Sequence, residues 1–272
     1  MQGSIIQSIA LVFAINARIR GIPVPKFWPE ATAFNFCRYV RFLDGQQSGL
    51  FRKKHKVLAA DPEIWVERAA SRRLGARIHS VARNDPNISD RNAAGFVGGG
   101  ARWLVELAGE RSSELWEDSW QVVDQEAADR RIWGVRYFRI ADEWAGAPEA
   151  GRPLEDILAE VEAAIGQTLE FARANAPGWV EFYERAHEVI RDPNNAGPPY
   201  HDDIIPRGLL KPDAEHLLIA AQSAWAFGGM GSWNDLWFEG EVGDRYDALS
   251  NRLYSALVEA AAAATNASFG SG

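Results

Sequence analysis

A change in hydrophobic periodicity near residue 150 limits the folds that this chain can adopt. Between residues 102 and 140, three segments alternate apolar and polar residues with a period of two, which is typical of half-buried β-strands. From residue 153 onward, apolar residues recur at steps of three and four, which is typical of amphipathic helices. Because strands and helices come in separate blocks, the pattern predicts an α+β fold and disfavours a doubly wound one.

Short polar connections separate the three period-two segments. Such connections join neighbouring strands that run in opposite directions, so we expect an antiparallel β-meander over about residues 102–140. Large aromatic side chains on one face of a sheet usually pack into a core. We therefore expect a helical layer to cover the face that carries Trp103, Trp116, Trp120 and Trp133.

The C-terminal part of the chain is predicted to be mainly helical, with proline and glycine residues between the helices. Gly228 is predicted to end the third of these helices in a left-handed conformation. The predicted helices cover residues 153–175, Trp179 to about Asp192, Pro212 to Phe227, and about Asp244 to Ala264.

The N-terminal part combines helical and extended segments. The apolar pattern from Ser4 to Arg20 predicts a helix, and the aromatic and β-branched residues at 34–43 predict a strand. Asp61 is a typical helix cap, and Pro62 suits the first helical position. These two residues predict a short helix that ends at Gly75.

The first apolar stretch, from Ile5 to Ile15, is not typical of a signal peptide or a membrane span. No Lys or Arg precedes it, no Ala-x-Ala cleavage pattern follows it, and it is too short to cross a bilayer. Cys37 is the only cysteine, which rules out an internal disulfide and a thiolate metal cluster. We therefore expect a cytoplasmic protein without a membrane partner, in which the first helix and Cys37 are buried.

Charge divides the chain into two parts. Residues 1–152 contain 22 Lys and Arg against 18 Asp and Glu, whereas residues 153–272 contain 7 against 19. We expect a mixed α/β N-terminal part (1–152) that holds the meander and an acidic helical part (153–272), packed as one globular unit. The acidic part also suits a basic protein partner, and it disfavours nucleic acid because phosphate binding needs clustered cations.

Two further clusters have the composition of phosphate-binding segments. Gly98, Gly99 and Gly100 lead into a predicted strand, without the Lys-Ser/Thr ending or the following helix of nucleotide-binding loops. We interpret them as the entry to the meander. The basic run at 51–56 could bind nucleic acid or an anionic substrate, but the acidic balance of the chain favours a solvated loop or a dock for the acidic part.

The proline-bounded loop at 198–206 holds an imidazole and two carboxylates. His201, Asp202 and Asp203 could ligate a metal ion or form a general base. Three adjacent residues seldom point at one ion, and Asp and Pro are also ordinary turn formers. A metal ion would need further ligands, for which the candidates are His187, His216 and Asp235.

The segment AFGGMGSWNDLWF at 226–238 combines three glycines with two tryptophans. Glycine lets a backbone approach a ligand closely, indoles stack, and an Asn-Asp pair supplies polar contacts. The alternative is a connection between helices whose tryptophans pack into the core. No Gly-x-Ser-x-Gly pattern for a serine nucleophile is present. The candidate binding residues are Trp233, Asn234, Asp235 and Trp237.

Two functions follow from these features. The first hypothesis is a non-catalytic cytoplasmic protein-binding module, such as an immunity-type protein that neutralises a basic toxin or nuclease. The second is a small-molecule hydrolase, with or without a metal ion, whose site lies at the 198–206 and 228–238 loops. We expect no cofactor, and the sequence predicts neither the oligomeric state nor a substrate.

Overall fold

The fold is α+β, as the sequence predicts. The computed structural model describes residues 1, 3–24, 27–45, 55–72, 75–109, 112–145, 151–195, 197 and 200–270. Most of the basic run at 51–56 and part of the loop at 198–206 lie outside these residues. The strands are β1 (Cys37–Asp44), β2 (Val57–Ala59), β3 (Gly75–Val81), β4 (Arg102–Ala108), β5 (Ser113–Val122) and β6 (Trp133–Trp144).

The predicted meander is present as β4, β5 and β6, which are neighbours and antiparallel. It forms part of a larger mixed sheet with the strand order β2-β1-β6-β5-β4-β3. In this sheet β1 runs parallel to β6, with Val40 opposite Val135, and the other neighbouring pairs are antiparallel. The simple meander was therefore an incomplete prediction, because the alternation of one segment does not show which distant strand pairs with it.

Helices cover one face of the sheet and then pack on one another. The α-helices are α1 (Ser4–Ile19), α2 (Pro62–Ser71), α3 (Asp90–Ala93), α4 (Leu154–Asn175), α5 (Val180–Arg191), α6 (Pro212–Ser223) and α7 (Gly240–Asn266). The helix α1 contacts the strands β3 and β4, and it also contacts the helices α2 and α7. The helices α4, α5, α6 and α7 pack against one another. Residues from before and after position 152 share one hydrophobic core.

The first helix, α1, is almost wholly buried, because its sequence is apolar on every side. Of its buried polar residues, Asn16 is fully paired, whereas Gln7 Oε1 and Ser8 Oγ have no hydrogen-bond partner among the described residues. Asn16 bonds both backbone groups of Ala76 in β3, with its Oδ1 2.8 Å from the Ala76 nitrogen and its Nδ2 2.9 Å from the Ala76 oxygen. Asn266 of α7 pairs in the same way with the nitrogen (2.8 Å) and oxygen (2.9 Å) of Ile78. The two amides therefore occupy the outer edge of β3, as a further strand would.

Several predicted boundaries are wrong. The strand predicted from residue 34 begins only at Cys37, after a 3₁₀-helix at Thr32–Phe34, and the last helix begins at Gly240 instead of near Asp244. The helix that starts at Pro62 ends at Ser71, and Gly75 begins β3 instead of ending the helix. The helix that starts at Pro212 ends at Ser223, so the chain is already non-helical at Gly228. In the described ranges, no helix is both long and apolar enough to cross a membrane.

Candidate functional site

A cavity of about 660 Å³ lies where the two loops singled out in the sequence approach each other. Tyr200 and His201 line it from the first loop, and the segment from Gly228 to Ser232 lines it from the second. The start of α1, residues next to the start of β1, and aromatic side chains from β5, β6 and the helical part also contribute to the wall. We call this space the aromatic cavity.

Eight of the described residues that line the aromatic cavity carry indole, phenyl or phenol rings. Trp120 and Trp133, at adjoining ends of β5 and β6, have ring centroids 6.1 Å apart in an edge-to-face arrangement. Across the described residues that line the cavity, none is Asp, Glu, Lys or Arg. An uncharged aromatic lining favours ligands without a formal charge. The other aromatic lining residues are Phe36, Trp179, Phe182, Tyr200, Trp225 and Phe227.

His201 holds its loop against the start of the chain's first helix and is itself buried. Its Nε2 lies 3.0 Å from the backbone oxygen of Met1, and its Nδ1 lies 2.8 Å from Thr32 Oγ1. Burial lowers the pKa of His201 to about 4, so the imidazole is neutral at neutral pH. A neutral ring that bonds the Met1 carbonyl carries its hydrogen on Nε2.

Asp203 joins the same contact, and Asp202 does not. The Thr32 Oγ1 lies 2.6 Å from Asp203 Oδ1 as well as close to His201 Nδ1, and its single hydrogen can be donated to only one of these two acceptors at a time. The Thr32 backbone nitrogen donates to Asp203 Oδ2 at 2.7 Å. Asp202 is exposed and does not line the cavity. His201 and Asp203 therefore meet at Thr32, a residue that no sequence pattern indicated, and Asp202 points elsewhere.

The two glycine clusters of the sequence contact each other at the edge of the cavity. A side chain at Gly95 would place its Cβ only 2.5 Å from the Gly228 carbonyl oxygen. Gly98 has a φ of +74°, and a Cβ there would lie 3.1 Å from the Trp120 ring. The segment from Gly95 to Gly100 thus supports both the 226–232 loop and the Trp120 wall, which adds to its predicted role as the entry to β4.

Trp233, the first candidate binding residue, lies in the core. Its side chain is fully buried, and its Nε1 donates to Ser250 Oγ of α7 at 2.7 Å. The Tyr246 hydroxyl donates to the Trp233 carbonyl oxygen. These contacts fix the loop on α7, so this indole is not accessible to a ligand.

The other candidate residues of the segment have separate surroundings. Asn234 Nδ2 donates to the Arg91 carbonyl oxygen at 2.8 Å, and Asp235 accepts from the Gly231 and Ser232 nitrogens within the turn. Trp237 is 76% exposed and borders a smaller cleft with Asn234 and the start of α7. The structure therefore does not bring the four residues together, and the part of the segment that reaches the aromatic cavity is the stretch from Ala226 to Ser232.

Cys37 lines the aromatic cavity without the properties of a nucleophile. Burial raises the pKa of its thiol to about 12, and Gln7 Nε2 lies 3.0 Å from its Sγ. A thiol with so high a pKa holds almost no thiolate at neutral pH. The expectation of a buried and unreactive cysteine therefore agrees with its surroundings.

The candidate metal ligands do not converge. Over the described part of the chain, no group of three or more His, Cys, Asp or Glu side chains is placed to hold a metal ion. His216 Nε2 contacts the Val189 carbonyl oxygen at 3.3 Å, and His187 Nε2 lies 3.9 Å from Glu162. Neither histidine lines the aromatic cavity.

Sequence reasoning missed most of the cavity wall. Phe36, Trp120, Trp179 and Trp225 come from four distant parts of the chain and share no spacing pattern. The excess of tryptophan in the sequence was the one available signal. Comparisons of the chain with protein-family models, with curated proteins and with solved structures give no significant match.

Proposed function

We propose that this protein binds an uncharged aromatic small molecule in the aromatic cavity. The observation that carries the proposal is an open space of about 660 Å³ with eight aromatic side chains and no Asp, Glu, Lys or Arg among the described residues that line it. This volume lies within the usual range for small-molecule sites, and aromatic rings supply large contact areas for flat ligands. The two loops of the hydrolase hypothesis both border this space.

Ligand binding without catalysis is better supported at this cavity than hydrolysis. Both ring nitrogens of His201 are engaged, by Met1 and Thr32, and a pKa near 4 makes the imidazole a weak base. The three-residue contact of His201, Thr32 and Asp203 holds the loop that forms one side of the cavity. A hydrolase reaction at this contact stays a secondary hypothesis.

The test uses N-phenyl-1-naphthylamine, an uncharged aromatic dye whose fluorescence rises in an apolar environment. We expect saturable binding to the wild type, and weaker binding after Gly229→Leu, which places a side chain at the cavity edge. Gly229 is exposed, and within 4 Å a Cβ there would meet only the Gly95 oxygen, at 3.8 Å, so the first atom of the new side chain meets no steric clash. Thermal unfolding checks that the variant is folded. Trp237→Leu is the matched control outside the cavity. Absence of saturable binding, or equal binding by both variants, would overturn the proposal.

A second proposal concerns the acidic helical part, which we propose as a surface for a basic protein partner in the cytoplasm. Three arginines of this part already pair internally, namely Arg173 with Glu184, Arg191 with Glu162 and Arg252 with Glu160. Many other carboxylates of α4 and α5 remain exposed, among them Glu155, Glu170, Glu181 and Glu188. Uncompensated negative charge of this kind accelerates association with a basic partner.

The partner proposal is tested by affinity capture from a lysate of the source cells at low and moderate salt. Wild-type bait is compared with a bait in which Glu155, Glu170, Glu181 and Glu188 are changed to Gln. The proposal predicts one basic protein that the wild type retains in a salt-dependent manner and the variant does not. A partner retained equally by both baits would contradict it, since the carboxylates would then be dispensable.

A further inference from the structure

On the wall of the aromatic cavity, hydrogen-bond acceptors and donors differ in how often they already have a partner within the protein. In the loop at 226–232, four consecutive carbonyl oxygens already accept hydrogen bonds. Ala226 accepts from the Trp233 nitrogen at 3.1 Å, Phe227 from Trp225 Nε1 at 2.7 Å, Gly228 from Ser232 Oγ at 3.0 Å and Gly229 from the Ser232 nitrogen at 3.1 Å. These acceptors are therefore used within the protein.

Several donors of the residues on the same wall have no acceptor within the described part of the protein. Within the described residues, the backbone nitrogens of Gly229 and Met230 have no acceptor, and neither do the indole nitrogens of Trp133 and Trp179. The two indole nitrogens are also not among the buried unpaired atoms, so solvent reaches them. An indole nitrogen can only donate a hydrogen bond. Among the described residues of the 226–232 loop, the carbonyl oxygens of Met230 and Gly231 also lack a donor. Four unpaired N–H groups of lining residues therefore stand against two unpaired carbonyl groups of this loop.

The other polar side chains of the cavity do not reverse this excess of unpaired donors over unpaired acceptors. His201 and Thr32 are bonded to each other and to Met1 and Asp203. Burial keeps the Cys37 thiol protonated, so it cannot act as an anion toward a ligand. Tyr200 carries a hydroxyl that can donate or accept, and its side chain is largely exposed at the rim.

We propose that the ligand of the aromatic cavity is a flat, uncharged aromatic carbonyl compound, of the class of aryl ketones, lactones and quinones. Its rings would lie among the indoles, and its carbonyl oxygens would accept from Trp133, Trp179 or the glycine backbone. A ligand whose polar groups are mainly donors would leave most N–H groups of the wall without an acceptor and would forgo the hydrogen bonds that a carbonyl compound makes there. This inference rests on the proposed small-molecule function and narrows its chemistry.

A pair of nearly isosteric compounds tests the inference, namely 2-acetylnaphthalene and 2-ethylnaphthalene, which differ in one acceptor oxygen. Each displaces N-phenyl-1-naphthylamine from the wild type in a competition titration. Burial of apolar area alone favours the hydrocarbon, so tighter binding of the ketone requires a donor on the wall. We expect the ketone to bind roughly threefold to tenfold more tightly, the net size of one hydrogen bond that replaces bonds to water. Equal binding, or tighter binding of the hydrocarbon, would overturn the inference.

The double variant Trp133→Phe/Trp179→Phe removes both indole donors and keeps aromatic rings in place. We expect it to bind the dye and to lose most of the preference for the ketone, whereas Trp237→Phe should keep the preference. A preference that persists unchanged in the double variant would overturn the assignment of the donors to the indoles. Failure of the wild type to bind the dye would instead refute the small-molecule function itself. Thermal unfolding of each variant confirms that it is folded.

Discussion

Asn16 in α1 and Ala76 in β3 are joined by two hydrogen bonds, at 2.8 and 2.9 Å, although 60 residues separate them in the chain. The amide of Asn16 uses both its oxygen and its nitrogen on one backbone unit, as a neighbouring strand would. The same nitrogen also lies 2.8 Å from Ser268 Oγ near the C-terminal end of the described chain. One side chain thus ties the buried helix to the edge of the sheet.

Replacement of Asn16 by leucine should strongly destabilise the fold. Leucine has nearly the same volume, but it leaves the Ala76 nitrogen and oxygen without partners in a buried place. Two orphaned backbone groups should cost about 2–5 kcal/mol of unfolding free energy. Urea denaturation measures the change, with Asn35→Leu, an exposed position, as the control. A loss no larger than that of the control would show that water satisfies the edge of β3.

Trp233→Phe should destabilise the protein without affecting the cavity directly. Phenylalanine retains most of the buried ring but loses the bond from Nε1 to Ser250 Oγ. The unpaired hydroxyl and the lost volume should together cost about 1–3 kcal/mol. Trp237→Phe, at a position that is 76% exposed, should change stability by less than about 0.5 kcal/mol. Comparable effects at both positions in urea denaturation would contradict the buried placement of Trp233.

Gly95→Ala should separate the two glycine clusters. The added Cβ would lie 2.5 Å from the Gly228 carbonyl oxygen, and a backbone atom cannot rotate away as a flexible side chain can. We expect a loss of about 1–3 kcal/mol in stability and weaker dye binding, because the 226–232 loop must shift. Gly178→Ala is the control, since a Cβ there meets no atom within 4 Å and its φ is not positive. Full dye binding by Gly95→Ala would show that the loop position does not matter to the cavity.

The stability of the protein should fall below neutral pH in part because of His201. An unfolded histidine has a pKa near 6.5, whereas burial lowers the pKa of His201 to about 4. The unfolded state therefore binds the proton first, and the contribution present above pH ~6.5 is lost as the pH falls toward ~4. Between pH ~7 and pH ~4.5, the wild type should lose about 2–3 kcal/mol more than His201→Gln does.

Urea denaturation of both proteins at the two pH values measures this difference, and carboxylate titration cancels because the two proteins share those groups. Equal losses for the wild type and for His201→Gln would show that His201 is protonated in the folded protein. A nuclear magnetic resonance titration of the His201 ring provides an independent value for its pKa.

The sequence predicted those elements whose neighbours impose a clear pattern. Large apolar residues recur at every second position in β4 and β5, although all five residues from Trp103 to Leu107 are buried. The helix α1 is rich in apolar residues because both the sheet and the helices surround it. The strand β3 was missed because its apolar pattern is short. Only Ala76 and Ile78 alternate with the polar residues Arg77 and His79, and Ser80 follows at the next apolar position. Its outer edge is satisfied by two asparagine amides that no local pattern reveals.

The candidate site was predicted only in outline. The two loops were identified because glycine, proline and adjacent polar residues are visible locally, and both loops border the aromatic cavity. The roles of individual side chains were not visible. Trp233 lies in the core because α7 supplies Ser250 as a partner, and Asp203 meets His201 through Thr32, which is 171 positions away from Asp203. Such pairings depend on tertiary contacts and not on spacing.

The parallel pairing of β1 with β6 has a consequence for how the chain folds. Cys37 lies opposite Trp133, so the centre of the sheet cannot close until β6 has left the ribosome. Pairings between such distant segments slow folding, because a long loop must be ordered before any contact stabilises it. During this interval α1, apolar on all sides, has no sheet to cover it. Nascent chains that stop before β6 should therefore bind chaperones or aggregate, and the full-length chain should escape both.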